Sequence, residues 1–588
     1  MRAKLRRLAR AFEQAAADHR AGRLMDAERG YRNILDEAPD HPDALHGFGL
    51  LALQCDRAPA AIAYLGMAMR ARPDDARIHL DLGLALRACG HLDESRGAIR
   101  SATLLDPDDP LAYAALGDSL VLLNRLDEAV NAYRDALRLA PELAVVRSSL
   151  GFLLRERGSL DEAVIELRHA VTLQPENAAA RVALGASLSE LGQLDEAAAE
   201  LRAALDLAPD DAMALNNLGL VQHTQGDVAG AVASLTAGRR LRPDLATIAA
   251  NLAAALRDAG ALDAALAEAE AALRIEPDNA DAHFVLGTIH LLRGDLTRGW
   301  AGFAWRHRIR GALVRPPLPP KWDGSPLDGR TLLIRPEQGL GDVIQFCRYA
   351  PLIRGGRVII AAPEPLLRLL ATLPGDVEVV PQDIAPPADV ACSILDLPHL
   401  FGTTLESIPA DIPYLSADSV AADAWRPRLQ ALQGKAVGLC WAGGARYQHD
   451  RRRSIPSAFL RSLAAVPDVT WVSLQKDAAG TPALPLVDWT AELADFADTA
   501  ALVSALDLVI TVDTAIAHLA GAVGRPVWLL NRFGGDWRWL LDRSDSPWYP
   551  TLRQFRQPRL NDWASVLDQV RRALVGAALS RPEHPQAG

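Results

Sequence analysis

Lysine is scarce in this 588-residue sequence: Lys4, Lys321, Lys435 and Lys476 are the four among 62 basic residues. Arginine carries nearly all the positive charge, so a lysine at a strand end weighs more than an arginine there. Acidic residues outnumber basic ones, 62 − 73 = −11, a balance that excludes nucleic acid as the main partner. The five cysteines (Cys55, Cys89, Cys347, Cys392, Cys440) lie far apart. With no Cys-x-x-Cys and no paired histidines, neither a disulfide framework nor a zinc site is expected, and a cytoplasmic, reducing location fits. No apolar run reaches membrane-spanning length, and the basic N-terminal stretch lacks a signal-peptide core. Apolar residues at 49% and charged residues at 23% exclude global disorder and a fibrous rod. Tryptophan is missing from the first 299 residues: all 12 lie at or after Trp300.

What the first half does have is a period. Proline recurs every 34 residues at Pro39, Pro73, Pro107, Pro141, Pro175, Pro209, Pro243 and Pro277. Glycine holds the same register from Gly49 to Gly219 and again at Gly287, with Ala253 the one departure. Small residues follow at fixed offsets, as in Ala129, Ala163 and Ala197. Two amphipathic helices per unit account for this, with small residues where the helices cross and proline at the turn to the next unit. Period and positions resemble the tetratricopeptide repeat (TPR): eight full repeats plus an eroded ninth over 8–310. The resemblance implies an all-α solenoid whose groove takes a protein or peptide, or, alternatively, a rigid spacer. Asn217 and Asn251 share one repeat position, and stacked amides there would bond an extended backbone as an acceptor groove; a solvated role is the alternative.

The second half differs. Of 38 prolines, 27 follow residue 310, and 311–330 reads as a stiff Pro-rich connector, with a boundary before it. From 331 short β-rich runs alternate with helical ones, in two sets: 331–430 and 431–576. This pattern predicts an α/β domain of two Rossmann-like lobes, with ligand at the carboxyl ends of the strands. The segment from Asn561 to Gly576 should be a helix capped near Asn561 or Asp562 that crosses back toward the first lobe.

Residues able to do chemistry gather at predicted strand ends. EQGLGD lacks the third glycine of a dinucleotide fingerprint, Ile344 standing in its place. What remains is a tight turn ending in Asp342, either a helix cap or a catalytic group, with Glu337 and Gln338 beside it. In VDTAIAHLAG, Asp513 ends a strand, and Thr514 and Ala515 open a helix whose free N–H groups can hold a phosphate. His518, one turn on, is either structural or in reach of phosphate or acceptor. Residues 331–588 contain no Asp-x-Asp, so an anion site without metal or other cofactor is expected. Arg451, Arg452 and Arg453 follow the first strand of the second set, as a solvated loop or a phosphate clamp. Gln475 and Lys476 end the next strand. Trp537, Arg538 and Trp539 are read as packing between the lobes, with ring stacking on a nucleobase as the alternative.

Together EQGLGD, WAGG…RRRSIP, SLQKD, VDTAIAHLAGAVGRPVWLL and DWRW…SPWYP resemble the glycosyltransferase family 9 domain of bacterial TPR proteins, similar to lipopolysaccharide heptosyltransferases. The resemblance implies a GT-B fold with Asp342 as base; Asp513, Thr514 and His518 on the donor diphosphate; and, more loosely, Arg453 on the phosphates. The joint architecture is similar to protein O-linked N-acetylglucosamine transferase, without its catalytic motifs. The expected activity is inverting, metal-independent transfer from a nucleotide-sugar donor to a protein or glycan. Two alternatives stand: a scaffold with an inert GT-B domain, and a GT-B-like nucleotide-sugar epimerase.

Overall fold

The computed structural model describes residues 2–309, 319–384, 386–444, 453–476 and 482–576. Arg451 and Arg452 lie outside them, as does 311–318 of the connector. The chain divides into two compact units, Met1–Val221 and Gln222–Gly588. Among the described residues no helix is long and apolar enough to cross a membrane.

The first unit is a succession of helix pairs such as Pro110–Leu122 with Leu126–Leu139 and Ala144–Glu156 with Leu160–Leu173. The period has a steric cause. A Cβ placed on Gly117 would stand 2.5 Å from the Tyr133 ring, and one on Gly151 or Gly185 would lie 2.5 or 2.6 Å from Leu167 or Leu201. Each glycine admits the large side chain of the second helix, and the helices cross closely. Side chains close the helix starts, Asp109 accepting from Leu111 N at 2.9 Å and Asn177 from Ala180 N at 3.0 Å. The acidic pair Asp127 and Glu128 sits in the first turn of its helix, where the helix dipole favours negative charge.

The second unit begins with the same architecture, from Val228–Leu241 to Ala280–Leu292 and the short Leu296–Phe303. Ala253, the exception in the glycine series, faces Ala269 in one buried cluster. The position that holds Tyr133, Leu167 or Leu201 elsewhere is itself small here, so the methyl at 253 fits.

Two parallel sheets follow. β1 (Thr331–Arg335), β2 (Arg357–Ala362), β3 (Val377–Pro381) and β4 (Val390–Ser393) are ordered β3-β2-β1-β4. β5 (Lys435–Cys440), β6 (Val469–Ser473), β7 (Leu508–Val512), β8 (Val527–Asn531) and β9 (Leu552–Arg556) are ordered β6-β5-β7-β8-β9. β7 and β8 are buried throughout, as strands covered on both faces must be.

Three expectations change. The described part of the connector is held against the first sheet: Trp322 N donates to Ala391 O at 2.8 Å, and Ala391 N to Pro320 O at 3.0 Å. The last repeat pair is not separate from the α/β region, because Leu291, Leu296, Trp300 and Phe303 belong to one core with Ile334, Phe346 and Trp537. Helix Trp563–Gly576, preceded by Asp562 accepting from Ser565 N at 3.1 Å, lies against Ser457–Leu463 and β9 and shares one core with Leu460 and Phe555 of the second lobe rather than with the first lobe. Its buried stripe matches the face of its own lobe.

Candidate active site

The carboxyl ends of β1, β5, β6 and β7 open on a cleft of about 740 Å³. Strand order explains the place: β1 lies between β2 and β4, and β5 between β6 and β7, so successive connections leave in opposite directions and open a crevice. Ten of the residues singled out from sequence line it: Gln338, Asp342, Arg453, Gln475, Lys476, Asp513, Thr514, Ala515, His518 and Arg538. Asn217 and Asn251 are not among its lining; they are partly buried on their helices, and Asn217 Oδ1 accepts from Asn216 Nδ2 at 3.3 Å.

Asp342 is aimed by a strained turn in which Gln338 takes φ +60°. Its Oδ2 accepts from Gly339 N at 2.8 Å, the cap anticipated from sequence, and its Oδ1 pairs with Arg538 Nη2. Burial pushes the Asp342 carboxyl above its usual range, against the pull of Arg538. Arg538 is shared with Asp536, whose Oδ1 lies 2.8 Å from Nη1. Burial opposes ionisation of Asp536 too, but the guanidinium wins and holds that carboxyl low. The Arg538 Nε is buried with no partner among the described residues. Arg538, expected from sequence to pack between the lobes, does lie over the Trp537 ring at 4.2 Å, and it also supplies the cation beside Asp342.

On the opposite wall, Thr514 caps helix Ala515–Ala522, its Oγ1 accepting from Ile516 N at 3.3 Å. Arg453 Nη1 donates to Asp513 O at 2.9 Å, which places a guanidinium at the end of β7. Burial raises the Asp513 carboxyl, and the charge of Asp536 adds to this. Gln475 holds the turn after β5 in shape, its Oε1 accepting from Ala442 N at 2.9 Å and from the Cys440 thiol at 3.5 Å. Lys476 donates to the carbonyls of Leu493 and Ala494 at 2.6 and 3.3 Å, so its ammonium is largely spent on the rim. The two walls meet at Gly341, where a Cβ would lie 3.3 Å from Ala515 Cα and 2.8 Å from His518 Cδ2. His518 is 4% exposed; burial, then Arg538 and Arg348, hold its pKa well below the usual histidine value.

Comparison with known proteins bears on this cleft. The profile of glycosyltransferase family 9 (heptosyltransferase) matches residues 491–530, the stretch holding β7, Thr514 and His518. A tetratricopeptide repeat profile matches 251–299, and that of the cilia and flagella-associated protein 70 C-terminal domain matches 7–218. Along the chain, matches to tetratricopeptide-repeat models are thus followed by a match to glycosyltransferase family 9. Protein FlbA of Caulobacter vibrioides (strain ATCC 19089 / CIP 103742 / CB 15) is 30% identical over 334 residues, 50% of this chain. The match spans 55% of that relative's length. Among solved structures, YrrB, a TPR protein with an unusual peptide-binding site, is 24% identical over 31% of this chain and 95% of its own, with a TM-score of 0.30. The APC/C hetero-tetramer Cut9–Hcn1 is 18% identical over 47% and 54%, with a TM-score of 0.35.

Proposed function

We propose that the second unit is an inverting, metal-independent glycosyltransferase of GT-B type, with a nucleotide-sugar donor and a protein or glycan acceptor brought by the repeats. The observation that carries this reading is the meeting, on one cleft, of a proton-avid carboxylate, Asp342, with a capped helix N-terminus flanked by Arg453 and Arg538. The diphosphate lies at Thr514 and Ala515, where unpaired N–H groups and two guanidinium groups meet it without a bridging cation. Asp342 takes the proton of the acceptor hydroxyl as that oxygen bonds to the anomeric carbon. The anomeric C–O bond breaks with its electron pair going to the departing diphosphate, whose charge the helix terminus and arginines stabilise. The repeats hold the acceptor polypeptide or a partner, Asn217 on the first unit and Asn251 on the second each offering an amide to its backbone.

One observation favours a second reading, an interaction protein with an inert transferase fold: both oxygens of Asp342 are already engaged, by Gly339 N and Arg538. Each retains a second lone pair, so pairing alone does not abolish basicity. Incubating the full chain with UDP-, GDP- and ADP-sugars and following release of the nucleoside diphosphate separates the two. Slow donor hydrolysis supports transfer; nucleotide binding without any release supports the inert fold.

A further inference from the structure

His518 has one ring nitrogen inside the protein and its opposite edge beside the cleft. Nδ1 lies 3.0 Å from Tyr549 Oη, and the ring stacks on Trp539, centroids 5.2 Å apart at 23°. Which nitrogen carries the proton follows from the hydroxyls behind it. Tyr414 Oη donates its one proton to Ile344 O at 3.0 Å and accepts from Arg348 Nη2 at 2.8 Å. Tyr549 then has two acceptors, His518 Nδ1 at 3.0 Å and Tyr414 Oη at 3.4 Å. The nearer is also the better base, since Tyr414 Oη already faces a guanidinium. The Tyr549 proton therefore goes to Nδ1, and the imidazole proton resides on Nε2.

Arg348 anchors this chain. It is 4% exposed, and three more of its five N–H groups donate to Gln345 O, Trp548 O and Pro409 O at 2.8, 2.8 and 3.1 Å. Among the described residues no carboxylate pairs with it, so its charge bears on its surroundings and disfavours a second proton on His518. At the opposite edge of the ring, a Cβ on Gly341 would stand 2.8 Å from Cδ2 and 3.5 Å from Nε2. With glycine there, His518 is among the residues that line the cleft.

We propose that Arg348, Tyr414 and Tyr549 are positioning residues that fix the proton of His518 on Nε2, so that this ring, which the resemblance already sets on the donor diphosphate, meets it as a neutral N–H donor. The phosphate part rests on the donor-site reading above. A neutral donor adds a hydrogen bond without a charge to titrate, and with its proton on Nε2 the ring cannot serve the cleft as a base.

The test is nitrogen NMR of the full chain with ring-labelled histidine, His518 being assigned by the signal lost in His518→Gln. The expected spectrum has a protonated Nε2 and a bare Nδ1, and Tyr549→Phe converts it to a mixture of tautomers; Tyr414→Phe provides the same test one link further back. A proton on Nδ1 in the unaltered protein, or shifts unchanged in both variants, overturns the chain. Calorimetry with ADP and UDP decides the ligand separately. Tyr549→Phe should weaken binding by up to about tenfold, one hydrogen bond to a charged group. If neither nucleotide binds the unaltered protein, the phosphate assignment fails while the spectrum still decides the tautomer.

Discussion

Arg306 donates from Nε and Nη2 to the two carboxylate oxygens of Glu337, each at 2.8 Å. The same Nη2 reaches Asp396 Oδ1 at 2.6 Å, and the Arg306 side chain is 6% exposed. Burial alone would raise both carboxyls, but Arg306, with His307 and Lys321 at Asp396 and Ser393 at Glu337, holds both below their usual range. Glu337, beside Asp342 in the turn after β1, is therefore neutralised by the end of the repeat array and is no competitor for the role of base.

Replacing Arg306 by methionine should destabilise the second unit by about 3–5 kcal/mol, the cost of leaving buried charge uncompensated. The pH dependence has a definite sign. Carboxyls whose folded pKa is depressed contribute stability above their unfolded values, 4.5 for Glu337 and 3.8 for Asp396, and that contribution is lost as pH falls through the folded ones. Denaturant titrations should therefore find the gap between Arg306→Met and the unaltered protein widest at neutral pH and closing below about pH 4. An equal gap at all pH values would contradict this ion network.

The division between the units falls inside helix Ala212–Gln225, so the natural cut for dissection lies at the start of that helix rather than near 310. Trp300 Nε1 donates to Thr403 O at 2.9 Å, and the Trp300 ring meets Trp537 edge-on, centroids 5.2 Å apart. Residues 212–588 should unfold cooperatively. Residues 325–588, lacking Trp300, Phe303 and Arg306, should lose at least about 3–5 kcal/mol, the cost of truncating one large core aromatic. Matched denaturation midpoints for the two fragments would refute the shared core.

Much of the fold was legible because its causes are periodic. The 34-residue register records a glycine facing a large side chain in pair after pair, and the apolar runs record strands covered on both faces. Asp342 and Thr514 were legible because a strand-to-helix turn marks them locally. Arg538 was not, since its pairing with Asp342 spans 196 positions and no local pattern announces it. The merging of the repeat end with the α/β core had a signal that composition blurred: tryptophan begins at Trp300, before the proline-rich connector, because Trp300 already belongs to the second core. Nothing in sequence showed that Gln475 is occupied by Ala442 N and Cys440.

The compensation at Ala253 and Ala269 is testable by itself. Ala269→Leu should cost about 1–3 kcal/mol by overpacking. Adding Ala253→Gly should return most of it, because that pair restores the glycine-against-leucine arrangement of Gly151 and Leu167. Additive losses in the double variant would show that the two positions are not coupled.

The central claim is most directly tested at Asp342, by following nucleoside diphosphate release from the donor sugar. Asp342→Asn keeps an oxygen for Gly339 N but leaves Arg538 to Asp536 alone, so some stability is lost, about 1–3 kcal/mol, short of a fully uncompensated buried charge. In a folded Asp342→Asn protein, nucleotide binding should be retained or strengthened, because the diphosphate lies at Thr514 and Ala515 and Arg538 then faces it with one carboxylate fewer, and turnover should fall by about 10²–10⁴-fold, the contribution of general base catalysis. Near-normal turnover by that variant, or no turnover by the unaltered chain while it binds nucleotide, would contradict the account.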